Sequence, residues 1–419
     1  MLTRDATPDV LRDNVVIIVG GGPVGLILSQ TLSVNNVQSI LFERNSTTTS
    51  WPKMDLTNAS SMELFRRLGL ADELRTHGDD GVPSDINQDV FVSTGMSHEP
   101  LNTWTTHWFL PDGFEADPIS SEDVVARVLG GMYEPYPVKV DKILVRSVWQ
   151  PVIAVTKQWS GPNRRIFLAG DAAHQNIPTG GYDMNMGIAD AFDIGWKLAS
   201  VVNGNGGSGL LASYEAERKP VAERSVAHSG LHFQTHASIR ELLTRDGLSA
   251  RHVDEDTEQA IETRRAIQDH YRKHDGENKD LGIEMGYRYN SPVIVKDADD
   301  AYAAEPPWTP ASYTPTTWPG SRAPHIFLSN GLAIFDQFCR DLTLLTFDCR
   351  SHGQEYMIAA AQKLSVSLEV ANLSGEDLAK RLYERNLVLI RPDQHVAWRS
   401  NALRSSSEAE TILQIVTGR

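Results

Sequence analysis

A glycine turn constrains this chain more than any other feature. Gly20-Gly21-Gly22-Pro23-Val24-Gly25 lies directly after an apolar run, Val15-Val16-Ile17-Ile18-Val19, and directly before a helical pattern. The run predicts a buried strand, and a second strand is predicted over Val37–Phe42. Glycines at the G-x-G-x-x-G positions allow a tight turn and bring backbone N–H groups close to a pyrophosphate. The helix N-terminus behind them adds partial positive charge. Glu43 ends the second strand 18 residues past Gly25, where a carboxylate can hold ribose hydroxyls. Arg44 beside it can accept a 2′-phosphate, so this end of the chain leaves FAD and NADP both open.

A second motif favours the flavin. A predicted strand, Arg165–Ala169, turns at Gly170-Asp171 and continues through Ala172-Ala173-His174, Pro178, Gly180-Gly181 and Met184-Asn185 into a helix running from about Asn185 to Val202. Asp171 at the strand end can accept a hydrogen bond from a ribityl hydroxyl. Pro178–Asn185 offers backbone groups to a flavin ring, and the helix N-terminus near Asn185 favours the negative charge of reduced flavin. His174 reads as a structural, hydrogen-bonded histidine. In the helix, Gly187, Ala191, Gly195 and Ala199 recur every four residues, a stripe that predicts close packing against a sheet.

The 419 residues carry 39 Lys+Arg against 54 Asp+Glu, a formal charge of −15, which disfavours nucleic acid or an anionic membrane as partner. No run approaches the roughly 20 apolar residues of a membrane span, and Met1–Asn14 has no apolar signal segment, so a cytoplasmic location is expected. Cys339 and Cys349 make no CxxC and no zinc-ligand spacing, so no metal is expected. Thr57–Leu74 predicts one amphipathic helix with Met62, Phe65 and Leu68 on a face. Leu211–Ser229 predicts a helix interrupted at Pro220. Pro306–Pro324, with six prolines, reads as a linker. Beyond it, strand patterns at Leu342–Phe347, Ser365–Val370 and Leu387–Ile390 alternate with helices at Gln354–Leu364 and Glu376–Arg385, a small separate α/β domain.

These motifs, together with Lys53-Met54-Asp55-Leu56-Thr57-Asn58 and the helix after it, resemble the FAD-dependent aromatic hydroxylases, the class A flavoprotein monooxygenases, in the branch containing phenol hydroxylase. Met285–Tyr289, Gly320–His325, Leu389–Asp393 and His395–Arg399 resemble that branch and its thioredoxin-like appended domain. The resemblance implies an α/β fold: a Rossmann-type FAD-binding domain in two parts (14–95 and 163–235), a reduced substrate-domain sheet (96–162), a helical and linker region (236–320) and a thioredoxin-like C-terminal domain (321–419). It implies FAD as cofactor, NAD(P)H as co-substrate, and transfer of one oxygen atom to a small phenolic or polyketide-like aromatic substrate. Gly20, Gly22, Gly25 and Glu43 would hold the ADP part and Asp171 the ribityl chain. Pro178, Gly180, Met184 and Asn185 would border the flavin, and Lys53 would contact phosphate or ring. The resemblance names no catalytic base. It leaves the oligomeric state open, a homodimer included.

Several positions depart from that family. Only 126 residues separate Glu43 from Gly170, far fewer than usual. Neither the family's second Asp-Gly motif nor its phosphate-reaching arginine helix has a counterpart, and between about His98 and Trp108 the text jumps from one family region to a much later one. Ser60 stands where relatives commonly have Arg. Asp183 stands where a glycine usually sits, and its carboxylate would oppose reduced flavin unless it turns to solvent or pairs. These departures make a shortened, catalytically weak member with a binding or assembly role the main rival; a second, an NADP-linked Rossmann dehydrogenase, rests on Arg44 and is disfavoured by the Gly170–Leu198 motif.

Overall fold

The computed structural model describes residues 14–47, 57–76, 95–98, 103–106, 108, 119–131, 133–143, 146–148, 152–296, 304–348 and 353–419. Lys53, His107 and Cys349 lie outside the described residues. Two compact units emerge, one gathering 1–64, 152–232 and 276–419, the other 65–151 and 233–275.

In the first unit, β1 (Val16–Val19) and β2 (Ser39–Phe42) pair in parallel around α1 (Pro23–Val34), with Val16 opposite Ser39 and Val19 opposite Phe42. Ile18 turns inward to Leu32 and Val37, while Ile17 and Val19 on the other face are 65% and 85% exposed. Two turn glycines are demanded by the backbone. Gly20 has φ +111°, and a Cβ on Gly25 would lie 2.0 Å from the Gly20 carbonyl oxygen.

The helix expected over Thr57–Leu74 is two helices, α2 (Ala59–Arg67) and α3 (Ala71–Thr76). Gly69, at φ +75°, ends the first of them. In the second unit, β3 (Gly95–His98) and β4 (Thr103–Thr106) form an antiparallel pair, and α4 (Ser121–Gly130) follows. The helix starts there because Ser120 Oγ accepts from the Asp123 N–H at 3.0 Å and Glu122 and Asp123 fill the first turn.

The strand expected at Arg165–Ala169 does not form. Phe167 bridges Ser160 alone, and the backbone then enters a 3-10 turn at Gly170–Ala172. A strand needs a ladder partner along its length, and this segment finds one at a single residue. The short strands nearby are β5 (Ala154–Val155) and β6 (His174–Gln175), paired antiparallel. Next come α5 (Tyr182–Val202) and α6 (Ser208–Leu243). The small-residue stripe of α5 faces a helix, α1, rather than a sheet: a Cβ on Gly187 would meet Val24 at 2.7 Å, and one on Gly195 would meet Thr31 at 2.7 Å. Pro220 does not interrupt α6. A proline there removes one helical hydrogen bond at about 3 kcal/mol, offset by burial of Tyr214, Val221, Ala222 and Val226 around it. Then follow α7 (Glu258–Lys273), capped by Thr257, and α8 (Leu281–Glu284).

The chain ends in β7 (Leu342–Thr346), α9 (Gln354–Leu364), β8 (Leu368–Asn372), α10 (Asp377–Tyr383), β9 (Leu387–Ile390), β10 (Val396–Ser400) and α11 (Ser406–Val416). The sheet order is β10-β9-β7-β8, with β7 and β8 parallel and β9 antiparallel to both its neighbours, the thioredoxin arrangement. Both faces are covered. Leu344, Leu387 and Leu389 join one core with Met357 and Leu413, while Leu345, Val388 and Ile390 join the other with Phe347 and Tyr383. That explains uninterrupted apolar strands without alternation. Thr316–Pro324, half of the proline-rich stretch, is buried, with Thr317 Oγ1 donating to the Tyr383 carbonyl at 2.7 Å. Cys339 is half-buried, its thiol donates to the Leu342 carbonyl, and burial pushes its pKa up, which is the environment of an inert thiol. Among the described residues, no helix is long and apolar enough to cross a membrane.

Candidate active site

The two motifs meet at one side chain. Val24, in the first turn of α1, lies 2.8 Å from where a Cβ on Gly170 would be and 2.7 Å from where one on Gly187 would be. The glycine turn, the Gly170 turn and the first turns of α5 therefore share one surface, although far apart in sequence. Gly22 caps α1 with no side-chain cap, and a Cβ added there would have no atom within 4 Å. Uncapped helix N–H groups beside an open glycine fit a pyrophosphate.

Glu43 stands at this turn. Its Oε2 accepts from the Gly21 N–H at 2.7 Å and its Oε1 from the Asn45 backbone N–H at 2.8 Å. Hydrogen bonds from Asn45 and Gly21 hold its pKa below the ordinary carboxylate value. Asp171 and Pro178 are exposed, and Gly180 and Met184 are half-buried. The Gly180 N–H donates to Glu277 Oε1 at 2.7 Å, and Gly181, left-handed at φ 63°, precedes α5.

Asn185, at the start of α5, links two helix starts. Its Oδ1 accepts from the Asn58 N–H at 3.0 Å and from Ser61 Oγ at 2.7 Å, and its Nδ2 donates to the Gly181 carbonyl at 2.8 Å. The amide thus ties the start of α2 to the start of α5. Asn58 in turn caps α2, its Oδ1 accepting from the Ser61 N–H. Ser61 was not legible as a functional residue, because its partner lies 124 positions away.

His174 is buried, with Nε2 2.8 Å from Asp190 Oδ2. Asp190 also accepts from the Gly170 N–H at 3.2 Å and from Arg218 Nε at 2.7 Å, so one carboxylate anchors the turn carrying Asp171. Burial alone disfavours charge on His174, but the Asp183 and Asp190 carboxylates facing its two ring nitrogens override it and push the pKa up to about 9. A raised histidine pKa stabilises the fold fully below the ordinary value of 6.5, and that stabilisation is lost as pH rises through about 9. The loss is expected to be about 3 kcal/mol. Urea unfolding of wild type and His174→Asn across that window checks it. An unchanged pH slope in the variant would contradict the assignment.

Deeper in the same unit lies a dry charge cluster that sequence reasoning missed. Lys197 Nζ on α5 contacts Asp193 at 2.6 Å and Glu217 on α6 at 2.7 Å. Arg391 grips both Glu217 oxygens at 2.7 Å and Asp393 at 2.5 Å. Three carboxylates face two cations, and burial, opposed by Lys197 and reinforced by Glu217, pushes Asp193 up to about 7. The motif Arg391-Pro392-Asp393 was visible in sequence. Its partners on α5 and α6 were not.

Residues 13–98 and 85–229 match the family model described as FAD binding domain, and residues 316–419 match aromatic-ring hydroxylase, C-terminal. The chain belongs to the FAD-dependent aromatic-ring hydroxylases. FAD-dependent monooxygenase apdD of Emericella nidulans is 31% identical over 576 residues, covering 99% of this hydroxylase and 92% of the relative. FAD-dependent monooxygenase opdD of Penicillium oxalicum is 42% identical over 328 residues, covering 77% of this chain but 61% of that protein. The solved complex of the flavin-dependent monooxygenase PieE with FAD and substrate superposes with TM-score 0.79 at 23% identity, covering 96% of this chain and 98% of that one. RebC with reduced flavin superposes at 0.73 and 24% identity, covering 97% and 99%. At those identities the likeness is one of fold. An alignment of 576 residues exceeds a chain of 419, so apdD carries a long stretch without counterpart in this hydroxylase. The FAD-domain match breaks into two at 85–98, adjoining the place where the motif text jumps.

Proposed function

We propose that this chain binds FAD and hydroxylates a small phenolic or polyketide-like aromatic compound, with NAD(P)H as reductant and oxygen as co-substrate. The observation carrying this reading is the meeting of the open glycine turn, the Gly170 turn and the α5 N-terminus around Val24. Relatives named 2,4-dichlorophenol 6-monooxygenase and aklavinone 12-hydroxylase RdmE support the substrate class, although the chain spans 55% and 46% of their lengths. Bound FAD supplies reduction by nicotinamide and activation of oxygen. Gly20, Gly22 and Gly25 let the α1 N–H groups approach the pyrophosphate, and Glu43 meets the ribose from the end of β2. Asp171 holds the ribityl chain. Pro178, Gly180 and Met184 border the ring, with Asn185 fixing α2 against α5 beside it. Lys53 lies outside the described residues, and its role at phosphate or ring rests on its motif alone. A cytoplasmic enzyme of secondary metabolism, with a homodimer as one oligomeric state, is consistent with this reading.

Purified protein should be yellow with flavin absorption bands. Colourless protein that takes up no added FAD would overturn the proposal. Oxygen transfer competes with release of hydrogen peroxide wherever water reaches the site. Ile17, Val19 and Phe42 lie exposed on the β1–β2 sheet, and a long family segment has no counterpart here. Most NAD(P)H consumed should therefore appear as hydrogen peroxide, measured as oxygen returned by catalase beside quantified product. Tightly coupled hydroxylation would show that the pocket is closed by other means.

A further inference from the structure

We propose that His174 and Asp183 form a charge-compensated pair that lets a carboxylate occupy the first turn of α5 beside bound flavin, and that this pair sets how strongly reduced flavin is held relative to oxidised. The proposal rests on the flavin site described above. It makes both residues positioning residues, acting through the charge they leave at the helix end.

Asp183 lies in the first turn of α5, where the free N–H groups favour an anion. Its Oδ1 is buried and accepts no hydrogen bond. Facing it at 3.7 Å is Nδ1 of His174, likewise buried and without a hydrogen-bond partner. The opposite nitrogen, Nε2, is held at 2.8 Å by Asp190, and the Trp159 ring lies 5.6 Å from the imidazole. A neutral imidazole carries one N–H and one lone pair, so it would present that lone pair to a carboxylate on one side. Only the doubly protonated ring offers an N–H to Asp183 and to Asp190 together.

The four linked charges are then Asp183 and Asp190 against His174 and Arg218, and they sum to zero. Asp183 in a glycine's usual place is thereby neutralised, and the α5 N-terminus stays able to face the negative reduced flavin. Other charged groups nearby are Glu277, bonded to the Gly180 N–H, and Asp280 and Glu284 around Tyr182. They are common to every variant compared below.

His174→Asn leaves the group one negative charge in excess, and Asp183→Asn leaves it one positive charge in excess. The flavin midpoint potential should therefore fall in the first variant and rise in the second. Reduced FAD, relative to oxidised, should bind about two- to fivefold more weakly in the first and more tightly in the second, the scale of one charge at a helix end. The double variant should return near wild type. A loss of packing alone would not move the potential in opposite directions. On FAD-free protein, the His174 imidazole titration followed by NMR should show the proton retained through neutral pH, with a midpoint lowered by about one unit or more in Asp183→Asn. An unchanged midpoint refutes the pair whether or not FAD binds, and potentials shifting in the same direction refute its role at the flavin. A pair intact by NMR in protein that takes up no FAD would overturn the flavin site itself, and the proposed role with it. Should His174→Asn fail to fold, Asp183→Asn alone still tests both the titration and the sign of the potential shift.

Discussion

Arg391→Ala is expected to destabilise the protein by about 3–5 kcal/mol, the cost of removing one partner from a buried ion pair. Arg391 is fully buried and grips Glu217 and Asp393, with Asp193 3.6 Å away. Without it, Lys197 would remain beside Asp193 and Glu217, and Asp393 would lose its guanidinium partner. Protonation could relieve part of that cost, because Asp193 already sits near 7. The loss should therefore be smaller in acid than at neutral pH. Urea titrations at two pH values measure both effects. A loss under about 1 kcal/mol would mean that the cluster behaves as a solvated surface bridge.

Gly22→Val should abolish bound flavin while leaving the fold intact. A Cβ there meets no protein atom within 4 Å, so the added bulk is directed into the open space a pyrophosphate would fill. Gly25→Ala makes the contrast. Its methyl would sit 2.0 Å from the Gly20 carbonyl, so the turn itself must shift and both stability and flavin should be lost. Flavin absorbance and the unfolding midpoint separate the two cases. Unchanged flavin content in Gly22→Val would sink the assignment of the glycine turn.

Local chemistry was legible from residues alone. The turn at Gly20–Gly25 follows from glycines whose φ or close approach admits nothing else, and the strands β1, β7 and β9 follow from apolar runs that no loop would carry. α9 matches its expected bounds because its ends are punctuated locally, by Gly353 and by Ser365 in a left-handed conformation. The segments misread are those whose state depends on a distant partner. Arg165–Ala169 has the composition of a strand but no ladder partner beyond Ser160. α6 passes Pro220 because burial on both sides offsets a broken hydrogen bond.

The sequence by itself determined the cofactor family, through glycines, turn residues and helix starts whose physics acts over a few positions. Only the tertiary structure decided what the buried polar and charged residues do. Glu217 pairs with Arg391 across 174 positions, Asn185 with Ser61 across 124, and His174 comes to lie between Asp183 and Asp190. Charge in a dry interior costs too much to stand alone, so each such residue takes its role from whichever opposite charge the fold brings within hydrogen-bonding reach. Position along the chain carries no record of that distance.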